Sequence, residues 1–257
     1  MRGGSPAAAA KRASNGRGAV SGRDGVAARV GLLQGFELTA KGQVVSLPLS
    51  AQRVVAFLAL QERPILRPYV AGKLWLNSTE AKANACLRTA LWRLRAPDCR
   101  LVDATGTHLE LAEGVAVDVR ETRAAAEQAI DHEIAPGDVA TSALYRAGEI
   151  LPDWYEDWLL IEREHFRQLR LHALETLCAD LTEMGRFAEA ARAGLAAVKD
   201  EPLRESAHRA LIAAYLAEGN PGEALRQFRL FRHLLRDQLG LEPSRLMADL
   251  VAALPVQ

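Results

Sequence analysis

Six pairs of positions in the rear of the chain recur at one spacing. Ala179 and Ala213, Leu181 and Tyr215, Gly185 and Gly219, Phe187 and Pro221, Glu189 and Glu223, and Ala190 and Ala224 are each thirty-four residues apart. A fixed offset of this length marks a helix-turn-helix unit that cannot bury its apolar side alone and must stack on its neighbours. The residue types suit such a unit. Gly185 and Gly219 fit a left-handed cap at the end of its first helix, and the small Ala190 and Ala224 let two helices approach closely. Pro202 breaks the chain after the first unit. The second unit has Arg236 at that place and breaks only at Pro243, so its last helix is expected to be extended.

Around this repeat the pattern predicts helices over Asp118–Ile130, Asp138–Ala147, Asp157–Met184, Phe187–Val198, Glu205–Glu218, Glu223–Leu239 and Arg245–Ala253. The front is different. Residues 1–28 are Gly, Ala, Ser and Arg with almost no large apolar side chain, and are expected to form a disordered basic tail. Such a tail is either a weak electrostatic arm or sequence ahead of the true start. From Val30 to Leu38 apolar residues form a strand-like stretch kinked at Gly35, and Lys41-Gly42-Gln43 turns into a second strand over Val44–Leu47. Pro48 ends it. Ser50 is the expected N-cap of a helix over Ala51–Gln61. Pro68 starts a short helix that buries Val70, Leu74 and Trp75, and Ser78 or Thr79 caps a longer one over Glu80–Arg95. Leu101-Val102, Thr105-Gly106-Thr107 and His108–Leu111 read as a hairpin. The expected order is two strands, three helices and a terminal hairpin over residues 29–112, with an all-helical unit over residues 113–257.

The third helix carries most of the functional content. Ala83, Leu87, Leu91 and Leu94 make one apolar stripe, while Lys82, Arg88, Thr89, Trp92, Arg93 and Arg95 fall on the other face. Arginine and hydroxyl side chains on a helix anchored by its leucines suit the major groove of DNA, where Arg bridges two acceptors of guanine or clamps a phosphate. Arg93 is the leading base or phosphate contact, with Arg88 and Arg95 as phosphate contacts and Arg53 and Lys73 as further backbone contacts. Thr105, Thr107 and His108 at the hairpin tip are placed to touch the neighbouring backbone. A merely solvated Arg face remains the alternative. So does a packed Trp92.

Charge separates the halves. Lys and Arg number 32, as do Asp and Glu, yet the sum is uneven. Residues 1–28 carry five Lys/Arg against Asp24, residues 29–112 carry eleven against six, and the rest carry sixteen against twenty-five. A basic front can meet a polyanion and an acidic rear would not. Three cysteines (Cys86, Cys99 and Cys178) are too few for a disulfide framework and suit a reducing cytoplasm. No apolar run approaches the roughly 18 residues of a membrane span. The six histidines lack ligand spacing: His165 and His172 share a face without a third ligand. No G-x-x-x-x-G-K-[ST] stretch and no Ser/His/Asp or Cys/His arrangement is present, so no cofactor, metal or catalytic activity is expected.

Three further strings carry a resemblance. Leu87-Arg88-Thr89-Ala90-Leu91-Trp92-Arg93-Leu94-Arg95, Leu151-Pro152-Asp153-Trp154-Tyr155-Glu156-Asp157-Trp158 followed by Glu162-Arg163-Glu164, and Gly240-Leu241-Glu242-Pro243-Ser244 resemble the actinobacterial antibiotic regulatory proteins over about Val30 to Leu254. The resemblance implies an OmpR-type winged helix-turn-helix domain followed by a tetratricopeptide-like bacterial transcriptional activation domain. It implies an activator of secondary-metabolite genes, in the cytoplasm at the nucleoid, that binds direct repeats near promoters, as a homodimer or as two copies on tandem sites, and recruits RNA polymerase holoenzyme. It places Thr89, Trp92, Arg93 and Arg95 at DNA, and Leu76, Asn77, Ser78, Thr79 and Glu80 in the turn that touches polymerase in relatives. Two departures bear on base preference: Ala85 and Ala90 carry no reach, and the Ala96-Pro97-Asp98 linker is short, which would hold the wing close. Trp154, Tyr155 and Trp158 form an aromatic cluster, read first as packing of the hinge against the winged helix and second as a ligand pocket. The competing reading of the whole chain is a scaffold that holds a peptide in the repeat groove, with no DNA bound.

Overall fold

The computed structural model describes residues 28–95, 100–133 and 139–252. The basic tail, the Ala96-Pro97-Asp98 linker and Cys99 lie outside the described residues, apart from Ala28, which is the buried first residue of a strand.

The front sheet begins with β1 (Ala28–Gly31) and β2 (Glu37–Ala40), which pair antiparallel. The single kinked strand expected over Val30–Leu38 is therefore a hairpin. Gln34 and Gly35 both take positive φ, which reverses the chain. A second turn at Lys41 and Gly42 leads into β3 (Gln43–Val44), shorter than expected because Val44 lies on an open edge. The first helix, α1 (Leu49–Ala59), starts and ends two residues earlier than expected, with extended Pro48 as its cap. Ser50 is not the cap; its hydroxyl accepts a hydrogen bond from Arg93 Nη1 instead. Strand β4 (Ile65–Leu66) was not expected. It is followed by α2 (Arg67–Leu74), with a proline in its first turn, and α3 (Glu80–Arg93), whose N-cap Thr79 accepts from Lys82 N. The hairpin is β5 (Val102–Ala104) and β6 (His108–Leu111), and β4 completes its sheet in the order β4-β6-β5. Another strand not expected, β7 (Val115–Val117), pairs parallel with β1, so the order of the front sheet is β3-β2-β1-β7.

The rest is helical: α4 (Asp118–Ile130), α5 (Val139–Arg146), α6 (Asp157–Glu183), α7 (Phe187–Asp200), α8 (Glu205–Ala217), α9 (Pro221–Leu239) and α10 (Arg245–Ala252). The thirty-four-residue offset is realised in space. Helix α7 starts at Phe187 and α9 at Pro221, each after a glycine in the left-handed region, Gly185 and Gly219. Ala190 and Ala224 are fully buried where the helices meet. The second unit's last helix is longer, 19 residues against 14, as its late break requires.

One apolar core joins the two halves. Val30, Leu58, Leu74 and Leu87 of the front share it with Val119, Ile150, Leu159 and Phe166 of the rear. Backbone bonds weld the joint: Leu151 N donates to Leu32 O at 2.8 Å and Gln34 N to Glu149 O at 2.9 Å. The Asp118 carboxylate accepts from Leu32 N and Leu33 N. Arg163 donates to the carbonyls of Ile150, Leu151 and Trp154. Trp154 stacks on Phe36 at 6.1 Å, and Trp158 meets Phe57 edge-on at 5.2 Å. Two of the three aromatics therefore pack the joint, as first read, whereas Tyr155 is 99% exposed.

Candidate nucleic-acid interface

Helix α3 is held from beneath and open above. Ala83, Leu87 and Ala90 are buried, with Leu94 just past its end, while Leu91 is half-buried against the same core. Lys82, Arg88, Thr89, Trp92, Arg93 and Arg95 are all exposed, Trp92 to 70%. The helical half does not cover them. Ala90 belongs to the buried side, so its lack of reach has no bearing on base contacts; this corrects the expectation made of it. Arg95 lies two residues past the helix end at Arg93.

The exposed cations fall into two groups. On one flank Arg88 and Arg95 face the hairpin across an open groove of about 540 Å³, with Arg67 and Arg100 on its other walls and Leu91, Trp92 and Leu94 at its floor and rim. Among the described residues, Arg67, Arg88 and Arg95 make no ion pair with a carboxylate, and Arg100 pairs with Asp103. On the opposite flank stand Lys82 and Arg93, the latter bonded to Ser50 Oγ at 3.3 Å. Thr89 and Trp92 stand between Arg88 and Arg93 on the helix surface. The cations line two edges of one exposed face.

Arg67 and Arg100 were missed in the sequence. Arg67 reaches the groove because β4 pairs with β6: its backbone N donates to Thr107 O at 2.9 Å and its guanidinium to Thr105 O at 3.2 Å. The available signal was the Ile65-Leu66 pair between Pro64 and Pro68, an apolar dipeptide too short to count as a strand by itself. The hairpin tip is held by its own side chains. Thr105 Oγ1 accepts from His108 N at 2.9 Å and from Thr107 N at 3.3 Å, and Thr107 Oγ1 lies 2.9 Å from His108 Nδ1. Thr105 and Thr107 are exposed and His108 is half-buried, but their hydroxyl and ring atoms fix the turn.

Arg53 was expected at the nucleic-acid backbone and is not there. It is half-buried over the Trp75 ring, donates to Leu74 O, and pairs with Glu156 at 2.8 Å. That contact ties α1 to the segment before α6, so the guanidinium belongs to the joint. Lys73 remains exposed near the Tyr69 ring. The loop from Leu76 to Glu80 projects beside the same joint. Leu76, Asn77, Thr79 and Glu80 are exposed and Ser78 is half-buried, with Ser78 N bonded to Trp75 O at 3.0 Å. A shallow groove of about 340 Å³ separates Leu76 and Lys73 from Tyr155 and Asp157.

The helical half offers little free chemistry. A cavity of about 400 Å³ beside α6 contains Arg163, Arg167 and Arg170, each already engaged by carboxylates or carbonyls. Burial pushes the Cys178 thiol up to about 12, which leaves it inert as a nucleophile. Among the described residues no group of three or more His, Cys, Asp or Glu could hold a metal ion, and no helix is long and apolar enough to cross a membrane.

A family model described as the bacterial transcriptional activator domain matches residues 113–254, more than half of the chain. The chain belongs to this family. Regulatory protein AfsR of Streptomyces coelicolor is 30% identical over 230 residues, which covers 84% of the chain but only 23% of AfsR. The chain therefore spans about a quarter of the length of that relative. Mycobacterium tuberculosis EmbR, solved in complex with a low-affinity phosphopeptide, superposes with a TM-score of 0.67 at 21% identity, over 90% of this chain and 66% of that one. That likeness concerns the fold: a winged-helix front followed by a helical domain.

Proposed function

We infer that this chain is a sequence-specific DNA-binding transcription activator whose front domain docks α3 in the major groove. The observation that carries the reading is the exposed face of α3, with cations along both edges and Arg67, Arg88 and Arg95 free of carboxylate partners among the described residues. Guanidinium groups held this way are available to phosphates, and each phosphate they neutralise releases condensed counterions. The family match and the AfsR similarity support transcription as the setting. Direct repeats near promoters of secondary-metabolite genes are the proposed targets, occupied by a homodimer or tandem copies at the nucleoid. RNA polymerase holoenzyme is the proposed partner of the Leu76–Glu80 loop.

Binding to a labelled duplex, followed against salt concentration, tests this. Wild-type protein is expected to lose affinity steeply as salt rises. Arg88→Ala and Arg95→Ala each lower the slope of log K against log salt by about 0.9. A slope near zero, or one that neither substitution changes, overturns the DNA reading. Leu76→Asp is expected to leave duplex binding intact while abolishing activated transcription with purified polymerase.

A further inference from the structure

The exposed face of α3 differs between its edges and its centre. With 3.6 residues per turn, Ala81, Ala85, Thr89 and Trp92 follow one line along the helix, opposite the buried Ala83, Leu87 and Ala90. Arg88 and Arg95 lie to one side of this line, and Lys82 and Arg93 to the other. The central line holds no side chain able to make the paired hydrogen bonds by which Arg reads guanine or Asn and Gln read adenine. It holds methyl groups and an indole instead. Thr89 does not break the pattern: its hydroxyl donates to Ala85 O at 3.0 Å, so its proton is committed within the helix. Trp92 is the largest group on the line and is 70% exposed, with no aromatic neighbour among the described residues. Its ring also borders the groove where Arg88 and Arg95 face the hairpin.

An isolated exposed indole on a helix otherwise built for charge leaves a large apolar area in water. A ligand with apolar groups between two rows of phosphates would cover it. Duplex DNA has one such group in the major groove, the 5-methyl of thymine. We propose that the Ala81–Ala85–Thr89–Trp92 line reads thymine methyl groups, and that base preference rests on apolar contact at T·A pairs, with the arginines on both edges fixing register on the phosphates. This deepens the DNA-binding reading and rests on it. It also assigns Arg93 and Lys82 to the second phosphate row, because they stand on the edge away from the hairpin.

The two readings separate in one experiment. A random-sequence duplex pool is first enriched on the full chain at low salt. The best duplex is then made with thymine and, in a second copy, with deoxyuridine at every thymine, which removes only the methyl groups. Anisotropy titration is expected to show the wild type binding the deoxyuridine copy about fourfold more weakly for each methyl contacted, the cost of one exposed methyl-sized apolar group. Trp92→Ala loses at least one such fourfold step of the difference between the copies and keeps the salt slope. Thr89→Val retains sensitivity to the methyl, and Thr89→Ser loses part of it. Equal wild-type affinity for the two copies overturns the methyl assignment while leaving DNA binding intact, as does a Trp92→Ala variant with the full wild-type penalty. A pool from which nothing is retained at low salt removes the DNA reading itself.

Discussion

Arginines at the two ends of the molecule are the same residue in opposite roles. In the rear most face acids, among them Arg123 with Glu162, Arg167 with Glu164 and Glu201, Arg204 with Glu175, and Arg236 with Glu242. Arg170 is the extreme case. It is nearly buried, donates to Leu144 O at 2.7 Å and pairs with Asp200, and burial lowers its pKa to about 10. On α3 and beside it, Arg88, Arg95 and Arg67 have no such partners among the described residues. Counting residue types would put both groups on one list. What separates them is whether folding has already supplied the counter-charge. Where it has, the arginine holds the fold; where it has not, the arginine is left for something outside the molecule.

The largest expected effect tests the buried end of that contrast. Asp200→Asn leaves the Arg170 guanidinium buried without its carboxylate. Removing one partner of a buried pair is strongly destabilising, and with Asp200 at the rim of the site the expected loss is about 3 kcal/mol in urea unfolding. Arg88→Ala, which removes an exposed group with no partner, should change stability by less than about 0.5 kcal/mol. Comparable losses for the two variants would break the comparison.

Packing sharpens it at a smaller scale. A Cβ at Gly194 in α7 would sit 3.0 Å from Leu211 Cβ in α8 and 3.2 Å from Cys178 Sγ in α6. Three helices converge there, so Gly194→Ala is expected to cost about 1–3 kcal/mol by overpacking. Gly72 in α2 of the front domain has nothing within 4 Å of the same position and an ordinary φ. Gly72→Ala should therefore stabilise by roughly 0.5–1 kcal/mol, because alanine loses less backbone entropy in a helix. Thermal or urea unfolding of the pair reads both signs in one series, and a destabilised Gly72→Ala would show that α2 is tighter than its surroundings indicate.

This difference also governs how much of the molecule is legible in its sequence. The rear helices are legible to within a few residues because their signal is local: a 3.6-residue stripe, a glycine stop and, from α6 to α9, a repeat that states a helix pair twice. The buried and exposed sides of α3 were legible for the same reason, with Ala90 as the exception. Strands β4 and β7 were not, because two or three residues carry no periodicity and exist only through partners far along the chain, Leu109 for Ile65 and Ala28 for Val115. Arg53 was misread on the same grounds. Its acid partner Glu156 is 103 positions away, and nothing in the α1 sequence marks it as paired. Arg67 reached the groove by that kind of long-range pairing, in the opposite sense.

The smallest predicted effect concerns the one histidine sealed within the repeat. His208 is fully buried, with Nε2 bonded to Pro202 O at 2.9 Å and Nδ1 to the Gln227 amide at 2.8 Å, and its ring lies 4.4 Å from Phe231. Bonding to a carbonyl on one side and an amide N–H on the other assigns the neutral tautomer with its proton on Nε2. Burial holds its pKa below the ordinary 6.5. The unfolded chain then binds a proton more readily than the folded one below that value, so stability rises with pH through this window. The contribution is complete above pH 6.5 and is lost as pH falls from 6.5 toward the folded value. Glu164, held near about 2 by hydrogen bonds from Arg167 and Gln168, contributes in a separate window, lost only as pH drops from 4.5 toward 2. The urea midpoint should thus stay level from pH 8 to 7 and decline as pH falls below about 6.5. In His208→Gln, which cannot titrate, that decline should flatten while stability at pH 7.5 falls. A decline of equal steepness in the variant would place the titrating group elsewhere, outside the repeat's core.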